Sequence, residues 1–527
     1  MLVKSLAFCY NIEKIKESVI LMNVGELIAF ILYFVVVLGI GIFFMLKSKS
    51  NSEAGYFLGG RKMGPYVTAM SAQASDMSGW LLMGLPGSIL AAGFGEVWIA
   101  IGLAIGTYLN WLLVGGRLRK FSQAAGNAIT IPQYLNNRFK SSGKVLQVVS
   151  AIIFFVCFTV YVASGYKAGA TLFSIVLGIE SEAISMAIFG VIMLAYTFMG
   201  GFKAVCWTDF FQSILMLFAL LFVPIFIACT NPLDFASVTA TAPNYFNLLP
   251  SGKFDWESIS AILSGLAWGL GYCGMPHILV RFMSIKSSKL IKPSRRVATV
   301  WVVLTLLMSA LVAVVGRLVL PELVEGDSEQ VFIKLVRLAF PAFFSGIFLS
   351  AILAAAMSTA DSQLLVASSA FTCDIYKPII RKKASEKEVM WVGKIFVAVI
   401  AVIAYVIAII PGSGSIMDLV SNAWAGFGAA FGPVIVLSLY WKKLTYKGAV
   451  AGIVSGGLTV VLWMIFLSSI TGVYELLPGF VVGLVACIVV SKLDKKDNKE
   501  VEELYEYAVN FNDDEDETEQ VVDGENA

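Results

Sequence analysis

Charge is scarce in this chain. Asp, Glu, Lys and Arg together make up 14% of its 527 residues, where soluble domains carry roughly 25%. A chain of this length folded as several soluble domains would lack the polar surface to stay dispersed, which argues against soluble enzymes and nucleic-acid binders. Histidine is scarcer still, with His277 alone. A single histidine cannot build a zinc centre by itself, and neither an HExxH nor a G-x-S-x-G motif occurs, so catalysis has almost nothing to work with. The 7 cysteines show no CxxC pairing and lie mostly in or beside apolar runs. They read as small apolar fillers, which argues against a disulfide scaffold.

What the chain has in abundance is apolar surface: 58% hydrophobic residues with 37 Phe and 46 Gly, and a mean hydropathy of +0.82. Crossing a hydrocarbon core takes ~20 apolar residues per helix. About 13 such runs are present, at 24–46, 66–90, 96–116, 145–177, 184–200, 207–228, 258–280, 297–319, 341–373, 391–410, 416–440, 448–468 and 475–491. The expected fold class is therefore an all-α integral membrane protein. Its transmembrane domain spans residues 24–491, preceded by an extension 1–23 and followed by a tail 492–527.

Orientation follows from the loops, because basic residues stay on the cytoplasmic side. Residues 47–65, 117–144 and 281–296 are basic; the last carries Arg281, Lys286, Lys289, Lys292, Arg295 and Arg296 without an acid. Alternate loops are neutral or acidic, ending with Glu322, Glu325, Asp327 and Glu329 before the ninth run. Every alternation agrees with an N-terminus outside and a C-terminus inside. Residues 1–21 lack the cleavage region of a signal peptide, and Met22 precedes the first run, leaving an upstream start or a functional extension as readings. The tail is charge-rich with an acidic run Asp513–Glu519 and is expected to be disordered.

Backbone can leave a helix inside a membrane only where protein or water satisfies it, so broken spans point to a binding site. The second run reads SAQASDMSGW over 71–80, with Asp76 near the bilayer centre. The seventh reads SGLAWGLGYCGMP over 264–276. They are five runs apart, which makes two repeats of opposite orientation, about 66–228 and 258–440. The alternative is that glycine here serves close helix packing. A carboxylate at mid-membrane costs ~2.5–3.5 kcal/mol on insertion scales, so Asp76 either attracts a cation and holds the unwound segment or bonds the freed N–H groups of the break. Ser358 and Thr359, after three alanines, are either ligands or hydroxyls bonded back to their own helix. Asp361 follows two residues later, also buried by position. Asp209 opens the sixth run, where capping is the ordinary role.

Four stretches carry a resemblance: Ser71–Gly87 (SAQASDMSGWLLMGLPG), Trp268–His277 (WGLGYCGMPH), Leu349–Leu365 (LSAILAAAMSTADSQLL) and Ala423–Pro433 (AWAGFGAAFGP). With Phe57–Gly64 and Cys206–Gln212, they resemble the bacterial sodium/proline branch of the sodium:solute symporter family, from about residue 24 to about 490. The resemblance implies thirteen transmembrane helices in a LeuT-like five-plus-five inverted repeat. It further implies sodium-coupled import of L-proline across the bacterial cytoplasmic membrane by alternating access, with Na⁺ as coupling ion, no organic cofactor and no nucleic-acid partner.

Residue by residue, it places Na⁺ on the backbone carbonyls of Ala74, Met77 and Ala355 and the hydroxyls of Ser358 and Thr359. Cation and substrate handling fall to Asp76 and Ser78, and the proline pocket to Tyr161, Trp268, Tyr272 and Pro276. Arg61 and Asp209 match sensitive positions nearer the cytoplasm. Met275 and the pair Asp361–Ser362 depart from the pattern. Rival readings are a sodium symporter for another small organic solute, a transporter-like sensor, or an intramembrane aspartyl protease using Asp76 and Asp361. Only about 35 residues, none of them histidine, follow the last run, too few for an appended signalling domain, and a protease would leave the helix break beside Asp76 without a role.

Overall fold

A computed structural model describes residues 23–47, 52–141, 143–199, 201–494 and 498–513. The extension 1–21 and the acidic run beyond Asp513 lie outside the described residues. The chain is helical throughout: α1 Val24–Lys47, α2 Pro65–Asp76, α3 Leu85–Ala92, α4 Val97–Leu109, α5 Gly116–Ala124, α6 Ile131–Arg138, α7 Val145–Leu177, α8 Glu182–Met199, α9 Phe202–Thr230, α10 Trp256–Gly271, α11 Pro276–Ser284 and α12 Ile291–Val319. There follow α13 Val331–Ala339, α14 Ala342–Phe371, α15 Glu386–Ile409, α16 Ile416–Tyr440, α17 Tyr446–Phe466, α18 Leu476–Leu493 and α19 Lys499–Asn510.

Among the described residues, 10 helical segments are long and apolar enough to cross a membrane, and 11 if α10 and α11, bent by 47° at Met275, count as one. The runs expected at 66–90 and 184–200 are occupied by α2 with α3, broken between them, and by α8, and a count of thirteen rests on these two. Helices α14 and α16 are mostly buried, whereas α1, α17 and α18 turn long apolar faces outward. Val35, Leu458 and Ile465 are among those outward side chains. Faces of this kind are stable only against lipid. This is a multi-pass membrane protein.

Small residues set the closest approaches. A Cβ on Gly102 would stand 2.3 Å from the Gly265 carbonyl oxygen, and one on Gly106 2.4 Å from Gly269 Cα. Two small-xxx-small faces, on α4 and α10, thus meet backbone to backbone. Gly271 is equally closed by the Trp424 indole, and Gly274 by the Phe427 carbonyl. The glycines of the seventh run therefore pack closely against neighbouring helices, beside a break in the same stretch. The break itself falls at Met275 (φ −80°, ψ 106°), just before Pro276 at the first turn of α11, because the residue before a proline is driven out of the helical region.

The tail departs from expectation. Residues 499–510, expected to be disordered, form α19, which packs on α5 and α6. Val501 and Ala508 on one face are buried while Glu503 and Tyr507 are exposed. Docking that apolar stripe supplies the stabilisation that its charge-rich composition does not suggest.

Candidate functional site

The break between α2 and α3 comes from local chemistry. Asp76, Ser78 and Gly79 are weak helix formers, and Met77 leaves helical geometry at φ −81°, ψ 81°. The Ser78 amide turns to the Asp76 carbonyl (3.0 Å) rather than to that of Ala74. Ala74 thereby loses its helical partner and is met from α14 by the Ser358 hydroxyl at 2.8 Å and the Thr359 hydroxyl at 3.3 Å. Ser358 also reaches the Ala355 carbonyl at 3.2 Å. Four oxygens, two carbonyl and two hydroxyl, thus converge between two helices in a fully buried place. All four are hard ligands without a fixed charge, suited to a small hard cation. Met77 lies in the same break and is buried; no hydrogen bond links it to these four.

Two residues on, the carboxylate of Asp76 accepts the Tyr272 hydroxyl at 2.6 Å on Oδ2, while Oδ1 has no partner among the described residues. The Asp76 main-chain carbonyl takes the Trp80 indole N–H (3.1 Å) and the Tyr161 hydroxyl (3.2 Å). Tyr161 and Tyr272 therefore come together on Asp76, from α7 and from the turn after α10. The ring of Tyr161 stands edge-on to His277, centroids 6.3 Å apart, and His277 follows Pro276 with neither ring nitrogen partnered among the described residues. Trp268 sits one turn before Tyr272 and stacks on Tyr474 at 5.2 Å. Ser78 is buried beside the Tyr161 hydroxyl.

Two aromatics escaped sequence reasoning. Trp424 packs edge-on to Tyr272 at 5.1 Å and donates its indole N–H to the Trp268 carbonyl at 2.8 Å. Tyr474, in the loop just before α18, donates to the Ser421 carbonyl at 2.6 Å. Trp424 lies in the stretch 423–433, whose glycines and alanines are themselves a signal of close packing; Tyr474 has no local signal.

Asp209 does not cap a helix. Gly201 precedes α9, and Asp209 lies two turns inside it, fully buried. It accepts the Ser71 hydroxyl at 2.7 Å and pairs with Arg281 at 3.1 Å. Arg281, counted above with a basic loop, belongs to α11 and is 1% exposed. Its guanidinium also donates to Ser71, Ser362 and the His277 carbonyl, tying α2, α9, α11 and α14 together. Asp361 is close enough to feel both Asp209 and Arg281, and Tyr196 and the Ser362 amide lie beside its carboxyl.

Close contacts lie at both ends of the broken helix. Before α2, Arg61 adopts a left-handed backbone (φ 54°) and donates to Asn127 Oδ1 (2.8 Å), Ser122 Oγ (3.1 Å), the Met283 carbonyl (2.6 Å) and the Ala128 carbonyl (2.7 Å). Met63 and Ile285 pair there as an isolated parallel bridge. Past the break, Gly87 meets the backbone of Glu329, where an added Cβ would stand 3.0 Å from Glu329 Cα. The Glu329 carboxylate accepts the Ile416 and Met417 amides at 3.3 Å each, at the N-terminus of α16.

The sequence pattern of the sodium:solute symporter family matches residues 56–456. The chain is 45% identical to a sodium/proline symporter of Haemophilus influenzae, covering 92% of this chain and 97% of that one. It is 43% identical to the osmoregulated proline transporter OpuE of Bacillus subtilis, covering 91% and 96%. Among solved structures, a Na⁺-coupled sialic acid symporter in a substrate-bound outward-open state superposes with a TM-score of 0.74 at 19% identity, over 90% of this chain and 98% of that one. The amino-acid-bound MhsT gives 0.50 at 15%, over 81% and 97%. At such identities the likeness is one of fold.

Proposed function

The chain belongs to the sodium:solute symporter family, and from that premise we propose that it imports L-proline with Na⁺ across a bacterial cytoplasmic membrane, its N-terminus outside and its C-terminus inside. Helices 66–228 and 258–440 act as the two inverted repeats. The observation that carries the ion site is the Ala74 carbonyl, released by the helix break and met by two hydroxyls of α14. Sodium would sit among Ala74, Met77, Ala355, Ser358 and Thr359, the hydroxyls turning their lone pairs toward the ion. The proline ring would lie among Tyr161, Trp268, Tyr272 and Pro276, where aromatic faces suit both apolar CH edges and a secondary ammonium, the latter by ~0.5–2 kcal/mol. Asp76, held by Tyr272, supplies the negative charge next to both, with Ser78 beside it. The Arg61 cluster closes the inner side and Glu329 on Gly87 the outer.

Uptake of radiolabelled proline into proteoliposomes under imposed Na⁺ or H⁺ gradients tests the reading. A Na⁺ gradient should drive uptake, close ring analogues should compete, and open-chain Val should not. Equal competition by open-chain amino acids would defeat proline as substrate.

Replacing Ser358 or Thr359 by Ala should raise the sodium concentration for half-maximal uptake. Each hydroxyl lost from a bare cation costs ~1–3 kcal/mol, about a fivefold to hundredfold effect. Unchanged sodium dependence in both variants would place the ion elsewhere.

Glu329 gives a pH dependence. Burial holds its carboxyl up at about 7, the Ile416 and Met417 amides opposing and Asp327 and Asp418 adding to the rise. Were the Glu329 segment to act as an outer lid and leave Gly87 and α16, the carboxyl would return toward an ordinary value near ~4.3. The docked state therefore binds the proton more tightly, and docking strengthens as pH falls through about 7. Outer-side accessibility, read by thiol labelling of a cysteine placed at Gln330, should fall between pH 8 and pH 6 by about fivefold. Glu329→Gln should flatten that profile; an unchanged profile would remove Glu329 from the lid.

A further inference from the structure

Arg61's cluster ties two parts of the chain together. Ser122, Asn127 and Ala128 belong to α5 and the loop after it, whereas Met283 ends α11. Arg119 of α5 adds bonds to the Ile285 carbonyl (2.6 Å) and the Lys286 carbonyl (2.9 Å). The Met63 amide bonds the Ser284 carbonyl and the Lys286 amide the Met63 carbonyl, at 3.2 and 3.0 Å. Opening this side means separating the 283–290 segment from α5, α6 and the turn at Arg61.

The C-terminal segment crosses that line. On the α5–α6 side, Arg138 donates to the Val501 carbonyl at 3.0 Å, and Phe121 meets Tyr505 edge-on at 5.4 Å. Lys442, after α16, bonds Glu506 at 3.2 Å. On the other side, Asp513 accepts the Ser288 amide at 2.7 Å and the Ser288 hydroxyl at 2.8 Å. Asp513 is 5% exposed and borders a cleft of about 170 Å³ lined by Arg61, Lys62, Arg119 and Lys286. Burial and the nearby Arg119 lower the Arg61 guanidinium to about 9, and Asp513 pulls it back up. The tail carboxylate thus compensates the charge that the closed inner side concentrates.

We propose that residues 498–513 form an intramolecular strap: Asp513 is the carboxylate ligand of a basic cleft on the Arg61 gate, and the inner side opens only when it leaves. The strap is anchored to one of these parts by α19 and to the other by Asp513, so it restrains their separation while docked. Two charge-assisted bonds to one carboxylate give it strength, and its attraction to the basic cleft lined by Arg61, Lys62, Arg119 and Lys286 makes it sensitive to salt on the cytoplasmic side. It sets the rate of the transport cycle without touching sodium or substrate.

The test uses the full-length protein in proteoliposomes, wild type against Asp513→Ala and Asp513→Asn. Hydrogen exchange is followed by mass spectrometry in peptides containing the Met63 and Lys286 amides. Both variants should exchange these amides about threefold to tenfold faster than wild type, and high internal salt should move wild type toward the variants. Sodium-driven proline uptake should change in maximal rate with half-saturating sodium unaltered. That arm rests on the symport reading; the exchange arm needs no substrate and stands without it. Gate amides that exchange as in wild type, even where 498–513 itself exchanges faster, would overturn the proposal.

Discussion

Asp76→Asn is expected to lose most sodium-driven proline uptake while the protein still inserts and folds. The side chain is fully buried, and Asn keeps its size and an oxygen for the Tyr272 hydroxyl now bonded at 2.6 Å. Only the charge is removed. A buried carboxylate with one oxygen unpartnered among the described residues is stable when a cation faces it. Between unit charges ~6 Å apart at an effective dielectric near ~20, the attraction is ~3 kcal/mol, about a hundredfold in sodium affinity. Half-saturating sodium should therefore rise beyond the accessible range in the Asn variant, whereas Asp76→Glu, which keeps the charge and lengthens its stem, should retain measurable uptake. Full activity in Asp76→Asn would leave this residue a steric role alone.

Such a prediction could be framed from the sequence because the features behind it are local. An acid followed by Ser and Gly in the middle of an apolar run announces a broken helix, and Ala74 through Gly79 break where that pattern says they should. The apolar runs were equally legible, since each must be long enough to cross hydrocarbon by itself. Where partners come from distant parts of the chain, the sequence was mute or misleading. Asp209 looked like a cap because it stands near the start of an apolar run, yet α9 begins at Phe202 and the acid faces Arg281. Arg281 looked like the first residue of a basic loop because hydropathy falls there; its burial depends on acids 72 residues before it and 80 after it. Trp424 and Tyr474 acquire meaning only through Tyr272 and Trp268. The tail failed for the same reason: composition measures charge, whereas α19 is held by one narrow face against α5 and α6.

The buried pair Arg281–Asp209 yields the largest expected effect on stability, with an asymmetry that tests its electrostatics. Breaking a buried ion pair by removing one partner costs ~3–5 kcal/mol, because the charge left behind is uncompensated. Here the two halves are not equivalent. Asp209→Asn leaves Arg281 with Ser71, Ser362, the His277 carbonyl and the nearby Asp361 carboxyl, so part of its compensation survives. Arg281→Gln leaves Asp209 and Asp361 facing each other with no cation on α11 near them, and Ser362 loses its bond as well. Thermal unfolding in detergent should show Arg281→Gln to be the worse of the two, by ~1–2 kcal/mol. Adding Asp209→Asn to Arg281→Gln removes one of the two stranded acids and should restore part of the loss, giving a double-mutant coupling of ~2–3 kcal/mol. Equal destabilisation by the two single variants, with additive effects in the double, would mean that Asp361 carries no charge in the folded protein and that Arg281 acts there through its hydrogen bonds alone.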